Sequence, residues 1–107
     1  MATHYIKRND IARKVTDILT LNGAAINLTG CTLSWIMRNR ATGVAIKQTA
    51  TIVTAATGSV EYQFVTGDTA TAGVYDCEWE IVYTTGSKPL TVPDDGYIVL
   101  EILEDLG

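Results

Sequence analysis

Asp76, Glu78 and Glu80 stand at every second position of the chain, which in an extended backbone puts three carboxylates on one face, roughly 7 Å apart. Paired carboxylates can cleave a glycosidic bond when one is held protonated in a pocket and the other stays ionised. Nothing around these three supplies such a pocket, and they read as the solvated face of a strand. The single histidine, His4, lies near the N-terminus with no nucleophile motif to serve, so a Ser-His-Asp arrangement finds no support. Cys31, Cys77 and His4 do not have the spacing of a metal-ligand set. Asp94-Asp95-Gly96 carries residue types that bind calcium, but directly after Pro93 it is ordinary turn chemistry. Trp35, Trp79, Tyr62, Tyr75 and Tyr83 could stack on sugar rings, yet their register turns them inward as core aromatics. These residues predict no catalytic, cofactor or metal site and no small-molecule substrate: not an enzyme.

The elements that position these side chains are strands. From Gly73 to Tyr83 the apolar Tyr75, Cys77, Trp79, Ile81 and Tyr83 alternate with the acids, the period-two pattern of a half-buried strand in an antiparallel sheet. Thr85-Gly86 then reverses the chain into a shorter strand that stops at Pro93. Upstream, the pattern predicts strands over His4–Arg8, Ala12–Leu21 (with mixed faces), Cys31–Arg38, Val44–Ile52 and Ser59–Phe64. In the fourth of these, Val44, Ile46, Ala50 and Ile52 are expected inward. Asn22-Gly23 is a turn, because both residues tolerate positive φ. Ala24–Gly30 reads as an irregular connection that plugs Ile26 and Leu28 into the core, and Thr66–Ala72 as a polar loop. A last strand runs from Tyr97 to about Glu104 with Ile98, Leu100 and Ile102 inward. Turns roughly every ten residues predict an all-β, immunoglobulin-like antiparallel β-sandwich of about seven to eight strands. Its expected core is Leu33, Trp35, Tyr62, Phe64, Tyr75, Cys77, Trp79 and Ile81.

At 107 residues the chain fits one domain, residues 1–107, burying roughly two-thirds of its unfolded surface. No stretch approaches the ~20 apolar residues of a membrane helix, and no signal-like apolar run follows Lys7 and Arg8, so a soluble, unexported protein with no membrane partner is expected. Charge is divided along the chain. Residues 1–40 carry Lys7, Arg8, Arg13, Lys14, Arg38 and Arg40 against Asp10 and Asp17, a net +4, while the remainder holds ten acids against Lys47 and Lys88, a net −8. A nucleic-acid binder needs a basic face for phosphates, which this balance does not provide. It suits contacts between copies of the chain. Cys31 and Cys77 read as buried thiols, with a disulfide between sheets as the alternative.

Two resemblances sharpen this reading. Gly73-x-Tyr75-x-Cys77 resembles the segment before the second cysteine of immunoglobulin domains, including a tyrosine corner at Tyr75. Cys31, only four residues before Trp35, does not stand where that family has its first cysteine, so the likeness implies corner geometry alone. The second spans almost the whole chain: Gly23-Ala-Ala-Ile-Asn-Leu-Thr-Gly30, Thr32-Leu-Ser-Trp-Ile-Met-Arg38, Gly58-Ser-Val-Glu-Tyr62, Asp68 to Tyr75 and Thr91-Val-Pro-Asp-Asp-Gly96, in that order. The series resembles the small β-sandwich domains of tailed-bacteriophage virion proteins, notably the N-terminal domain of the baseplate upper protein family. Ala25 stands for that family's usual proline, Asn27 for its aspartate and Trp35 for its phenylalanine. The resemblance implies a structural subunit of a phage or prophage particle, in the baseplate, neck, tail or capsid decoration. Such a subunit is made in the bacterial cytoplasm, resides in the virion and contacts copies of itself and other virion proteins. In that reducing compartment both cysteines should be free.

The basic N-terminus and the acidic strand face then suggest an interface built from Tyr5, Lys7, Arg8, Arg13, Lys14, Asp76, Glu78 and Glu80. Residues 1–9 would be an assembly arm, and residues 3–14 would pack on a neighbouring subunit. The alternative is an adhesin-like, cell-surface- or carbohydrate-binding sandwich, which needs one or two of Trp35, Trp79, Tyr83 and Tyr97 exposed.

Overall fold

The strict alternation around Trp79 produces the longest strand of the molecule, and the other elements arrange themselves about it. In the computed structural model, which describes residues 3–83, 88–93 and 96–106, the chain forms β1 (Thr3–Lys7), β2 (Lys14–Ile18), β3 (Thr20–Leu21), β4 (Ala24–Ala25), β5 (Cys31–Asn39), β6 (Ala45–Thr49), β7 (Thr51–Thr54), a 3-10 turn (Ala55–Thr57), β8 (Ser59–Gln63), β9 (Gly73–Tyr83), β10 (Lys88–Val92) and β11 (Ile98–Leu103). The expected turns at Thr85-Gly86 and Asp94-Asp95 lie outside the described residues.

One sheet has the order β1-β11-β9-β5-β6, with β10 also on β9; a second has β2-β8-β7; β3 and β4 form a small hairpin. β11 and β10 share one edge of β9, the first beside Gly73–Cys77, the second beside Trp79–Tyr83. The two main sheets follow the strand order of an immunoglobulin-like sandwich. Trp35 of β5 stacks on Tyr62 of β8 (5.8 Å, 15°) and meets Trp79 of β9 edge-on (4.7 Å, 63°), so aromatic rings join the sheets. All eight expected core residues are buried. The corner forms as well: the Tyr75 hydroxyl donates to the Thr71 carbonyl oxygen at 2.8 Å.

Three features differ from the sequence reading. β1 runs parallel to β11, whereas every other strand pair among the described residues is antiparallel. A parallel pair needs a long connection, and here the rest of the domain is that connection. The stretch Ala12–Leu21 is two strands, because the Leu19 N–H leaves the ladder to donate to Gly58 O at 2.8 Å. That exchange requires glycine at position 58: φ is +73° and a Cβ would meet Leu19 O at 2.7 Å. Val44–Ile52 is likewise divided at Ala50, whose N–H bonds Leu33 O, so β6 stays in one sheet and β7 crosses to the other. Val44 precedes β6 and is 66% exposed, not inward.

Candidate functional site

Each face of β9 has its own chemistry. Along β5 and β9, Arg38 pairs with Asp76, Ile36 with Glu78 and Ser34 with Glu80, while β6 sets Lys47 beside Ile36. Asp76 and Glu80 therefore meet cations of the same chain. Asp76 accepts from Arg40 Nη2 at 2.6 Å and Nε at 3.2 Å, with Arg38 Nη2 at 3.8 Å. The hydrogen bond from Arg40 holds the Asp76 carboxyl below the usual carboxylate range; burial opposes this, and the charges of Arg40 and Arg38 add to it. Lys47 donates to Glu80 at 2.6 Å. Arg38 also lies 5.6 Å over the Tyr97 ring. A carboxyl shifted down is the reverse of what a glycosidase acid needs.

The basic residues expected at an interface are dispersed. Tyr5 and Lys7 point outward from β1, beyond β11 from the acids. Arg8 reaches Glu104 (3.5 Å) and Asp105 (3.7 Å), and Lys14, on the other sheet, holds Glu61 at 2.8 Å. The division of charge along the sequence thus largely closes on itself. The N-terminal strand expected over His4–Arg8 forms within this domain. Thr3–Lys7 pairs residue by residue with Val99–Leu103, and Ile6 is 4% exposed, because alternation in this short stretch suffices to seat one side chain in the core. Removing residues 1–9 would strip a strand from β11.

A cavity of about 340 Å³ opens at one end of the sandwich, between the β5–β6 turn and the loop before β9, lined by Met37, Asn39, Thr42, Val44, Ile46, Gly67, Asp68, Thr71 and Tyr75. Its size is at the lower end of ligand pockets, ~300–1,000 Å³. Two buried polar residues frame it. Asn39 Oδ1 accepts the N–H groups of Ala41 (2.9 Å) and Thr42 (3.2 Å), which fixes the turn. Asp68 Oδ2 accepts the Tyr62 hydroxyl and the Val65 N–H (3.0 Å). Burial, then the hydrogen bond to Asp68 and its charge, push the Tyr62 phenol well above its ordinary range. Beside Asp68, Thr69 is fully buried, donating to Asp10 O at 3.1 Å and accepting the Asn9 N–H at 2.9 Å.

Sequence reasoning missed this cavity, since Thr66–Ala72 looks like a solvated loop. The available signal was weak: Asp68 falls six residues after Tyr62, a separation a turn can close. Another buried contact had a clearer signal. Asp17 lies on the same strand face as Val15 and Leu19, and its Oδ2 accepts the Trp79 indole N–H at 3.1 Å.

The cysteines face the same core from distant rungs. Cys31 is opposite Tyr83 and Cys77 opposite Met37, six residues along the ladder or roughly 20 Å. That is far beyond the ~7 Å limit for a disulfide, and both are free. Burial first, then the charge of Asp76, pushes the Cys77 thiol up to about 12. Among the described residues no three His, Cys, Asp or Glu side chains gather as a metal site, and no helix is long and apolar enough to cross a membrane. Compared with protein-family models and with curated proteins, the sequence matches none.

Proposed function

We propose that this chain is a structural subunit of a tailed-bacteriophage or prophage particle, a tail, baseplate or neck component that works through protein–protein contacts. The ordered motifs from Gly23 to Gly96 support the virion assignment. What favours docking over sugar recognition is the burial of both tryptophans: Trp35 and Trp79 have no exposed surface, and Tyr97, 38% exposed, has Arg38 over one face of its ring. A stacking platform would have to be built without either tryptophan. Surface open to recognition includes the free edge of β1, the edge strand β6, and the exposed Tyr5, Val44 and Val65. Unpaired strand edges are ready templates for a second chain.

Mass spectrometry of purified particles from an induced bacterial host that encodes the chain tests the proposal. The expected result is its presence at a reproducible copy number alongside tail proteins. Absence from particles, with binding to a glycan array instead, would establish the adhesin-like alternative.

A further inference from the structure

We propose that the end cavity is a socket for the lysine side chain of a partner protein. Asp68 is 8% exposed, and both of its hydrogen bonds fall on Oδ2. Oδ1 accepts no hydrogen bond from the described residues, Asp68 lines the cavity, and no cation of the described residues lies within ion-pair distance of this carboxylate. A carboxylate largely withdrawn from water attracts an opposite charge, and the pair repays its desolvation where the geometry is good and the remaining lone pairs are satisfied. Met37, Val44 and Ile46 line the approach, an apolar sleeve suited to a hydrocarbon stem that carries its charge at the tip. Thr42 and Thr71 add hydroxyl groups to the lining.

The free lone pairs select between the two long cations. An arginine fork is satisfied by two carboxylate oxygens side by side, and here Oδ2 already serves the tyrosine and the backbone. A lysine ammonium is a point charge that needs only Oδ1 and the nearby hydroxyls. The pocket depends on the docking role only for the origin of the lysine: a failed amine titration removes the socket and leaves docking at the strand edges intact, whereas particle analysis tests docking itself.

The test is an amide NMR titration of the whole chain with Nα-acetyl-lysine methylamide, and with the norleucine and arginine counterparts. Saturable shifts at Thr42, Val44, Ile46 and Thr71 are expected with lysine, at a dissociation constant on the order of millimolar. The norleucine compound, which keeps the stem and lacks the ammonium, should bind at least about tenfold more weakly. Asp68→Asn should remove the preference for lysine. Should that variant not fold, Val44→Lys decides: from its exposed position at the mouth it should occupy the socket with its own ammonium and abolish binding. Equal binding of lysine and norleucine, tighter binding of arginine, or unchanged affinity in Val44→Lys would each overturn the proposal. Self-association of the wild type that Asp68→Asn abolishes would make a second copy the occupant and overturn the separate partner.

Discussion

Asp17 and Asp68 are two carboxylates turned toward the interior, one at the middle of the sandwich and one at its end. At the middle, Asp17 divides its oxygens: Oδ2 accepts the Trp79 indole N–H and Oδ1 the Ile18 N–H at 2.8 Å. At the end, Asp68 places both partners on Oδ2 and lines an open cavity. The middle is built from long, registered strands, in which Trp35 faces Trp79 across nine paired residues of β5 and β9. Packing there closes around the inward side chains Leu33, Trp35, Met37, Cys77, Trp79 and Ile81. The end is built from loops held by side-chain hydrogen bonds such as those of Asn39, Asp68 and the Tyr75 corner, and loops leave space. The same residue type therefore anchors the core in one region and can present a binding group in the other.

The largest test of this contrast is Trp79→Ala. It removes a fully buried indole and strands Asp17, so a loss of about 3–5 kcal/mol is expected by urea denaturation. A loss under ~1 kcal/mol would mean that the middle is not closely packed. Comparing Trp79→Phe with Trp35→Phe is finer. The Trp35 indole N–H is buried without a hydrogen-bond partner, so replacing it removes an unsatisfied donor, whereas replacing Trp79 leaves a carboxylate without one. Trp79→Phe should be costlier by about 1–2 kcal/mol; equal costs would show that Asp17 contributes nothing to the middle.

At the end of the sandwich, Tyr75→Phe deletes only the bond to Thr71 O. A loss of about 0.5–1.5 kcal/mol is expected, with faster amide exchange confined to residues 67–72. Uniformly faster exchange would tie the corner to the whole core and erase the distinction. The smallest effect belongs to the outer face. Because Asp76 has a lowered carboxyl value in the fold, the unfolded chain binds more protons than the native one between that value and the ordinary ~3.9. The stabilisation is present above the ordinary value and is lost as pH falls through the lowered one. Arg40→Ala should move the Asp76 midpoint upward in a carboxylate NMR titration and begin acid unfolding at higher pH. An unmoved midpoint would show that Arg40 is not what holds Asp76 down.

Much of the fold was legible because period-two alternation is a local property. Tyr75, Cys77, Trp79 and Ile81 declare their face within a single strand, as do Leu33 and Trp35, and Gly73-x-Tyr75-x-Cys77 carries the corner. Where the chain changes sheets, as at Leu19 and Ala50, no glycine or proline marks the break. The break is made by a backbone bond to a distant residue, so one long strand was read in place of two.

The site was less legible. Charges that are far apart in sequence, such as Arg40 and Asp76, looked like an unbalanced surface ready for a neighbour, and only the strand order brought them together. The N-terminal stretch looked like an arm for the same reason, since its partner is β11 at the other end of the chain. The sequence by itself determined an all-β sandwich, which side chains enter its core, and that its cysteines sit on apolar faces. Tertiary structure alone decided which charges neutralise one another, how far apart the cysteines lie, and that Asp68 borders a cavity. Side-chain alternation is set by neighbouring residues, whereas ion pairs, cavities and strand partners are set by distances between residues that the sequence does not order.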